Sequence, residues 1–67
     1  MFDHKALGGK LRALRLLRGL TLVDLARKTR MHPPQISVIE RGLAHPTLAT
    51  LNRLATALGV ELEVHIT

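Results

Sequence analysis

The side chains here that could do chemistry are four histidines, a single serine (Ser37), ten Lys/Arg and five Asp/Glu. Cys, Tyr and Trp are absent. The histidines stand at positions 4, 32, 45 and 65, which match no metal-ligand spacing. No Ser/His/Asp grouping, phosphate-cradling loop or close pair of carboxylates on a helix points to catalysis. Gly8-Gly9 matches no phosphate-binding motif. The expectation is therefore a protein that is not an enzyme and needs neither metal nor cofactor. Without Cys there is no disulfide and no thiolate site, which suits a cytoplasmic protein.

What remains is charge. The formal net charge is +5, and it is unevenly spread. Lys5, Lys10, Arg12, Arg15, Arg18, Arg27, Lys28 and Arg30 crowd the first thirty residues, against only Asp3 and Asp24. Beyond them, Arg41 and Arg53 face Glu40, Glu61 and Glu63. A basic excess of this kind favours a polyanionic partner, although a solvated cationic face is the plainer reading of charge alone. Phe2 is the sole aromatic residue. Readers of single-stranded nucleic acid stack bases on aromatic side chains, so duplex DNA is the better polyanion.

The elements that must hold these charges can be read from periodicity. A chain of 67 residues is one domain, 1–67, and its 46% hydrophobic content can fill a small helical core. Leu7, Leu11, Leu14 and Leu17 have helical spacing, with Asp3 as a possible N-cap and Gly19 as the stop. Thr21 and Asp24 form a capping-box-like pair opening a second helix that runs to about Thr29. Arg30-Met31-His32 reads as a tight turn. A residue before proline is pushed out of the helical region, so the third helix is expected to start at Pro34 or Gln35 and to stop at Gly42. Thr47 caps a further helix carrying Leu48, Leu51, Leu54, Ala55 and Leu58. After Gly59 the period changes to two. Val60, Leu62, Val64 and Ile66 alternate with polar residues, which predicts a strand over 60–67 with one apolar face. A lone strand in a helical chain lacks a backbone partner, and a second copy of the chain supplies one. A homodimer is expected on that ground. No apolar run is long enough to span a membrane, and no signal-peptide pattern is present.

Two short helices joined by a three- or four-residue turn make a helix-turn-helix. The pieces Gly19-Leu20-Thr21, Asp24-Leu25-Ala26, Ile36-Ser37-Val38-Ile39-Glu40-Arg41-Gly42, Pro46-Thr47-Leu48 and Ala57-Leu58-Gly59-Val60 occur at spacings that resemble the Cro/CI-type (XRE) regulators. The resemblance covers residues 7 to 60. It implies an all-α, five-helix, lambda-repressor-like domain whose third helix lies in the major groove. It further implies a C-terminal strand like that of the HipB-type antitoxins, pairing across a dimer. By family position, His32, Pro33, Pro34, Ser37 and Val38 would meet base edges, with Gln35 beside them. The amides of Leu22 and Val23, in the helix opened by Thr21, are phosphate-site expectations because a helix N-terminus has free donors and positive dipole. Arg41 and the loop His45–Thr47 are the family's second phosphate region. Arg15 and Glu40 occupy positions that form an ion pair in the family.

The sequence departs from the family where Leu22 replaces a common Gln and where two prolines and Val38 replace polar readers. Base readout then rests on Gln35, Ser37, His32, apolar contacts and DNA shape. Leu16, Leu17, Leu22 and Val23 form an apolar corner expected at the surface. The functional expectation is a homodimeric transcriptional repressor acting in the cytoplasm on DNA. A further version makes it the antitoxin or autoregulator of a two-gene module, with a cognate toxin as partner. The alternative is a protein-interaction module of the same fold with little DNA readout, favoured by the prolines and the apolar corner.

Overall fold

The computed structural model describes residues 3–62. They form four α-helices: α1 (His4–Leu17), α2 (Leu22–Thr29), α3 (Pro33–Glu40) and α4 (Leu48–Ala57). The five helices implied by the family resemblance are therefore four among the described residues. Val60, Glu61 and Leu62 follow the left-handed Gly59 with no regular structure, and Val60 and Leu62 pack against the helical core. Val64 and Ile66, and with them most of the expected strand, lie outside the described residues.

Each helix begins where local chemistry starts it. The Asp3 carboxylate accepts a hydrogen bond from the Ala6 amide at 3.0 Å, so α1 opens before the apolar stripe begins. Thr21 and Asp24 make a full capping box: the Thr21 hydroxyl accepts from the Asp24 amide at 3.0 Å, and the Asp24 carboxylate accepts from the Thr21 amide at 2.9 Å. Thr47 caps α4 through the Thr50 amide at 3.1 Å. α3 begins at Pro33, earlier than the expected Pro34 or Gln35. Proline's fixed φ is already helical, and its missing N–H is one that no first turn needs. The push toward extended backbone falls instead on His32, at φ −85° and ψ 140°.

The core is built mainly from α2, α3 and α4. Leu25, Ile36, Leu51, Leu54 and Leu58 are shut off from solvent, and Leu11, Met31 and Ile39 close around them. Truncating one such leucine to alanine costs about 2–5 kcal/mol, a large share of the stability of so small a domain. Met31 belongs to this core although the sequence presents it only as part of a turn. That turn is made by Arg30, which takes a left-handed conformation at φ 59° while its amide bonds the Ala26 carbonyl. Three residues thus separate α2 from α3, and α2 packs on both α3 and α4.

α1 packs on α3 at very short range. A side chain at Gly8 would fall against the carbonyl oxygens of Ile39 and Glu40, the latter only 2.6 Å from an added Cβ. Gly42 mirrors this contact: it has φ 73°, and a Cβ there would meet the Lys5 Cβ at 2.9 Å. Glycine at these two places is what lets the start of α1 lie across the end of α3.

Candidate nucleic-acid interface

The orientation of α3 is set from behind by a buried ion pair. Arg15, on α1, donates from Nε to the Glu40 Oε2 at 2.7 Å and from Nη2 to Oε1 at 3.0 Å. Its Nη1 donates to the Leu20 carbonyl at 2.9 Å. Both residues are buried, and no buried side-chain polar atom among the described residues is left unpaired. The Glu40 hydrogen bond outweighs burial and holds the Arg15 guanidinium in its charged form, its pKa pushed above the usual arginine range. The end of α3 is thereby tied to both ends of the α1–α2 connection.

With Ile36, Ile39 and Glu40 turned inward, the rest of α3 faces out. Pro34 and Gln35 are exposed, and Pro33, Ser37 and Val38 are half-buried. His32, at the N-cap, is exposed and makes no side-chain cap. Beyond the helix, Arg41, His45 and Thr47 are exposed. The fold brings Gln35, Val38, His45 and Thr47 together on the walls of one open groove of about 260 Å³, between α3 and the start of α4. Ile39, Ala44, Pro46 and Thr50 complete it. Arg41, His32, Thr21, Leu22 and Val23 do not line this groove.

The two helix starts differ in the donors they offer. In α2 the Thr21 hydroxyl takes the Asp24 amide, which leaves the first-turn amides of Leu22 and Val23 without an acceptor inside the helix. The hydrogen bond from the Thr21 amide, then the Thr21 hydroxyl, keeps the Asp24 carboxyl below the ordinary aspartate pKa. In α3, Pro33 and Pro34 have no N–H, and the amides of Gln35 and Ile36 both reach the His32 carbonyl, at 3.0 and 3.3 Å. An anion can therefore dock on the backbone of α2's first turn but not on that of α3. Leu22 differs from the expected exposed corner: it is half-buried and packs on the core, whereas Leu16, Leu17 and Val23 are exposed. The hydrophobic side of α2 reaches as far as its first residue, which is why Leu22 turns in.

Several contributing residues carry no signal in the sequence. Gly8 acts through close approach to α3, a role invisible until the partner helix is placed. Arg18 donates from Nε to the Leu58 carbonyl at 3.0 Å, tying the end of α1 to the end of α4. His4 and His45, forty-one positions apart, approach to 3.3 Å between ring nitrogens. Among the described residues no group of three or more metal-ligating side chains occurs. Nine of the ten cations are exposed, Arg15 being the exception, so the positive charge faces solvent. No helix among the described residues is long and apolar enough to cross a membrane.

Comparison with known proteins agrees with this geometry. The chain is 43% identical over 51 residues to the HTH-type transcriptional regulator DdrOP3 of Deinococcus deserti, a match covering 76% of this chain and 40% of that protein. It is 38% identical over 55 residues to the immunity repressor protein of Bacillus phage phi105, covering 82% of this chain and 38% of the repressor. The chain thus spans about two fifths of the length of these relatives. Its fold superimposes on the clp gene regulator ClgR from C. glutamicum with a TM-score of 0.87 at 34% identity, covering 92% of this chain and 80% of that one. A helix-turn-helix family model matches residues 11–65. With α2 and α3 joined by three residues and α3 presented to solvent, the chain belongs to the XRE-type helix-turn-helix family.

Proposed function

We propose that this chain is a sequence-specific, duplex-DNA-binding transcriptional regulator that acts as a homodimeric repressor. The observation that carries the reading is the outward face of α3, held rigidly by the Arg15–Glu40 pair and flanked by the groove of His45 and Thr47. In this reading α3 enters the major groove. The free amides of Leu22 and Val23, with Thr21 beside them, take one phosphate, and Arg41, His45 and Thr47 take another. His32, Pro33, Pro34, Gln35, Ser37 and Val38 meet base edges. Relatives named as a transcriptional regulator and an immunity repressor support repression by occupancy of an operator, which requires no cofactor. The second copy joins through residues 60–67, whose alternation continues through Val64 and Ile66. A role as the autoregulatory antitoxin of a two-gene module is compatible with this scheme and adds a toxin as partner.

A second reading has an observation of its own. Leu16, Leu17 and Val23 are each more than half exposed, which favours a protein-interaction module. A salt titration of duplex binding separates the two. DNA binding should weaken steeply with salt, with a slope of about −0.9 in log affinity against log salt per phosphate neutralised. Arg41→Ala should weaken all sequences alike and flatten the slope by about one such increment. Affinity indifferent to salt rejects the DNA reading.

A further inference from the structure

α3 is apolar on both sides. Ile36 and Ile39 are buried, and the only charge within the helix, Glu40, is engaged by Arg15. On the opposite side Pro34 and Val38 lie one turn apart, along the centre of the outward stripe. A surface helix ordinarily carries polar residues there, and an apolar stripe in that place, between Gln35 and Ser37, is one that a partner surface covers in use. The remaining chemistry of that face is narrow. It has no cation to grip the O6/N7 edge of guanine, no free carboxylate to accept from cytosine, and no open backbone amide in its first turn. It does have Gln35, exposed at the edge of the stripe beside the groove shared with His45 and Thr47. A carboxamide pairs bidentately with adenine N6 and N7, and a small apolar surface packs on the C5-methyl group of thymine.

We propose that α3 reads A·T base pairs, Gln35 engaging the adenine edge while Pro34 and Val38 pack on thymine methyl groups. The inference rests on the DNA-binding reading above and specifies the bases that reading leaves open. His32 and Arg41 stand at the two ends of the helix and are free to serve the flanking pairs and phosphates.

The test uses the full chain. Bound sequences are first selected from a random duplex library. Each thymine of the selected site is then replaced singly by deoxyuridine, which removes only the C5-methyl group and leaves base pairing intact. At one or two thymines affinity should fall about fourfold, the value of one buried methyl group. Val38→Ala should give a similar loss on the thymine duplex and little further loss on the deoxyuridine duplex, because the two changes remove the same contact. The deoxyuridine arm needs no variant protein, so a folding defect in Val38→Ala leaves the test intact. A selected site whose fixed positions are G·C, or one indifferent to every deoxyuridine, overturns this inference alone. A library from which nothing is enriched overturns the DNA reading itself and this inference with it, leaving the apolar face of α3 as a protein-binding surface.

Discussion

Removing Arg15 alone leaves Glu40 as a buried, unpaired carboxylate, and removing Glu40 alone leaves a buried guanidinium. Breaking a buried pair from one side costs about 3–5 kcal/mol. Arg15→Ala and Glu40→Ala should therefore each destabilise strongly, and the double variant should lose clearly less than the two losses added. Urea unfolding of the four members of the cycle measures this, and additivity would remove the pair as an energetic unit. A second contrast sits about two helical turns before Arg15 on α1. Gly8→Ala pushes a methyl group into the backbone of α3 and should destabilise by about 1–3 kcal/mol. Gly9→Ala meets nothing within 4 Å and should stabilise by about 0.8–1 kcal/mol, the helix propensity difference. Opposite signs at adjacent glycines of one helix are expected in thermal unfolding. Equal signs would mean that α1 does not lie on α3 as closely as the structure has it.

At the scale of elements, the caps connect sequence to stability most directly. The Asp24 carboxyl has a lowered pKa in the folded chain. A group lowered on folding adds stability that is complete above its unfolded pKa and disappears as pH falls through the folded value. The difference in melting temperature between the wild type and Asp24→Ala should thus be full near neutral pH and shrink in acid, below the ordinary aspartate range. A difference constant across that range would assign the effect of Asp24 to something other than its charge. Thr21→Ala, which removes the other half of the box, should cost about 1 kcal/mol near neutral pH and less in acid, because the Thr21 hydroxyl also helps to lower the Asp24 pKa. These caps, the α3 stop at Gly42 and the stripes of α1 and α4 were legible because each is local: residue type and spacing determine them. What was not legible was non-local or forbidden to ordinary side chains. Nothing in the sequence says that Arg30 takes a left-handed conformation that glycine adopts more easily. Nothing says that Met31 points into the core, since a turn three residues long has no period to read. Of the interface, the candidate set on α3 came from position in the family the sequence resembles, and the inward phase of Ile36 and Ile39 was supplied by the structure. The meeting of Gln35 and Val38 with His45 and Thr47 required the path of the α3–α4 loop, which no spacing rule supplies.

For the whole molecule the governing fact is size. The described residues measure 35 × 22 × 20 Å, and α3, with 8 residues, is roughly 12 Å long. At about 3.4 Å per base pair it spans only three or four pairs. A site so short recurs too often to mark one operator, since specificity must be weighed against the number of competing sites. A second copy doubles the length read and adds a spacing constraint: two recognition helices must meet half-sites about one DNA turn, roughly 34 Å, apart. The long dimension of one chain is comparable to that spacing, so two copies joined through one end could present their α3 helices on the same face of the duplex. Charge argues for the end that joins them. The cations concentrate on the segment before residue 31, whereas Glu61 and Glu63 sit in the acidic tail and are best kept from phosphate. The homodimer proposed here should therefore depend on residues 60–67. Deleting residues 61–67 should give a monomer by sedimentation at concentrations where the full chain dimerises. It should also weaken binding to a two-fold-symmetric operator far more than binding to a single half-site. Should the shortened chain dimerise as well as the intact one, or should the intact chain stay monomeric at high micromolar concentration, the second α3 must be supplied by another surface, and the exposed Leu16, Leu17 and Val23 become the next to test.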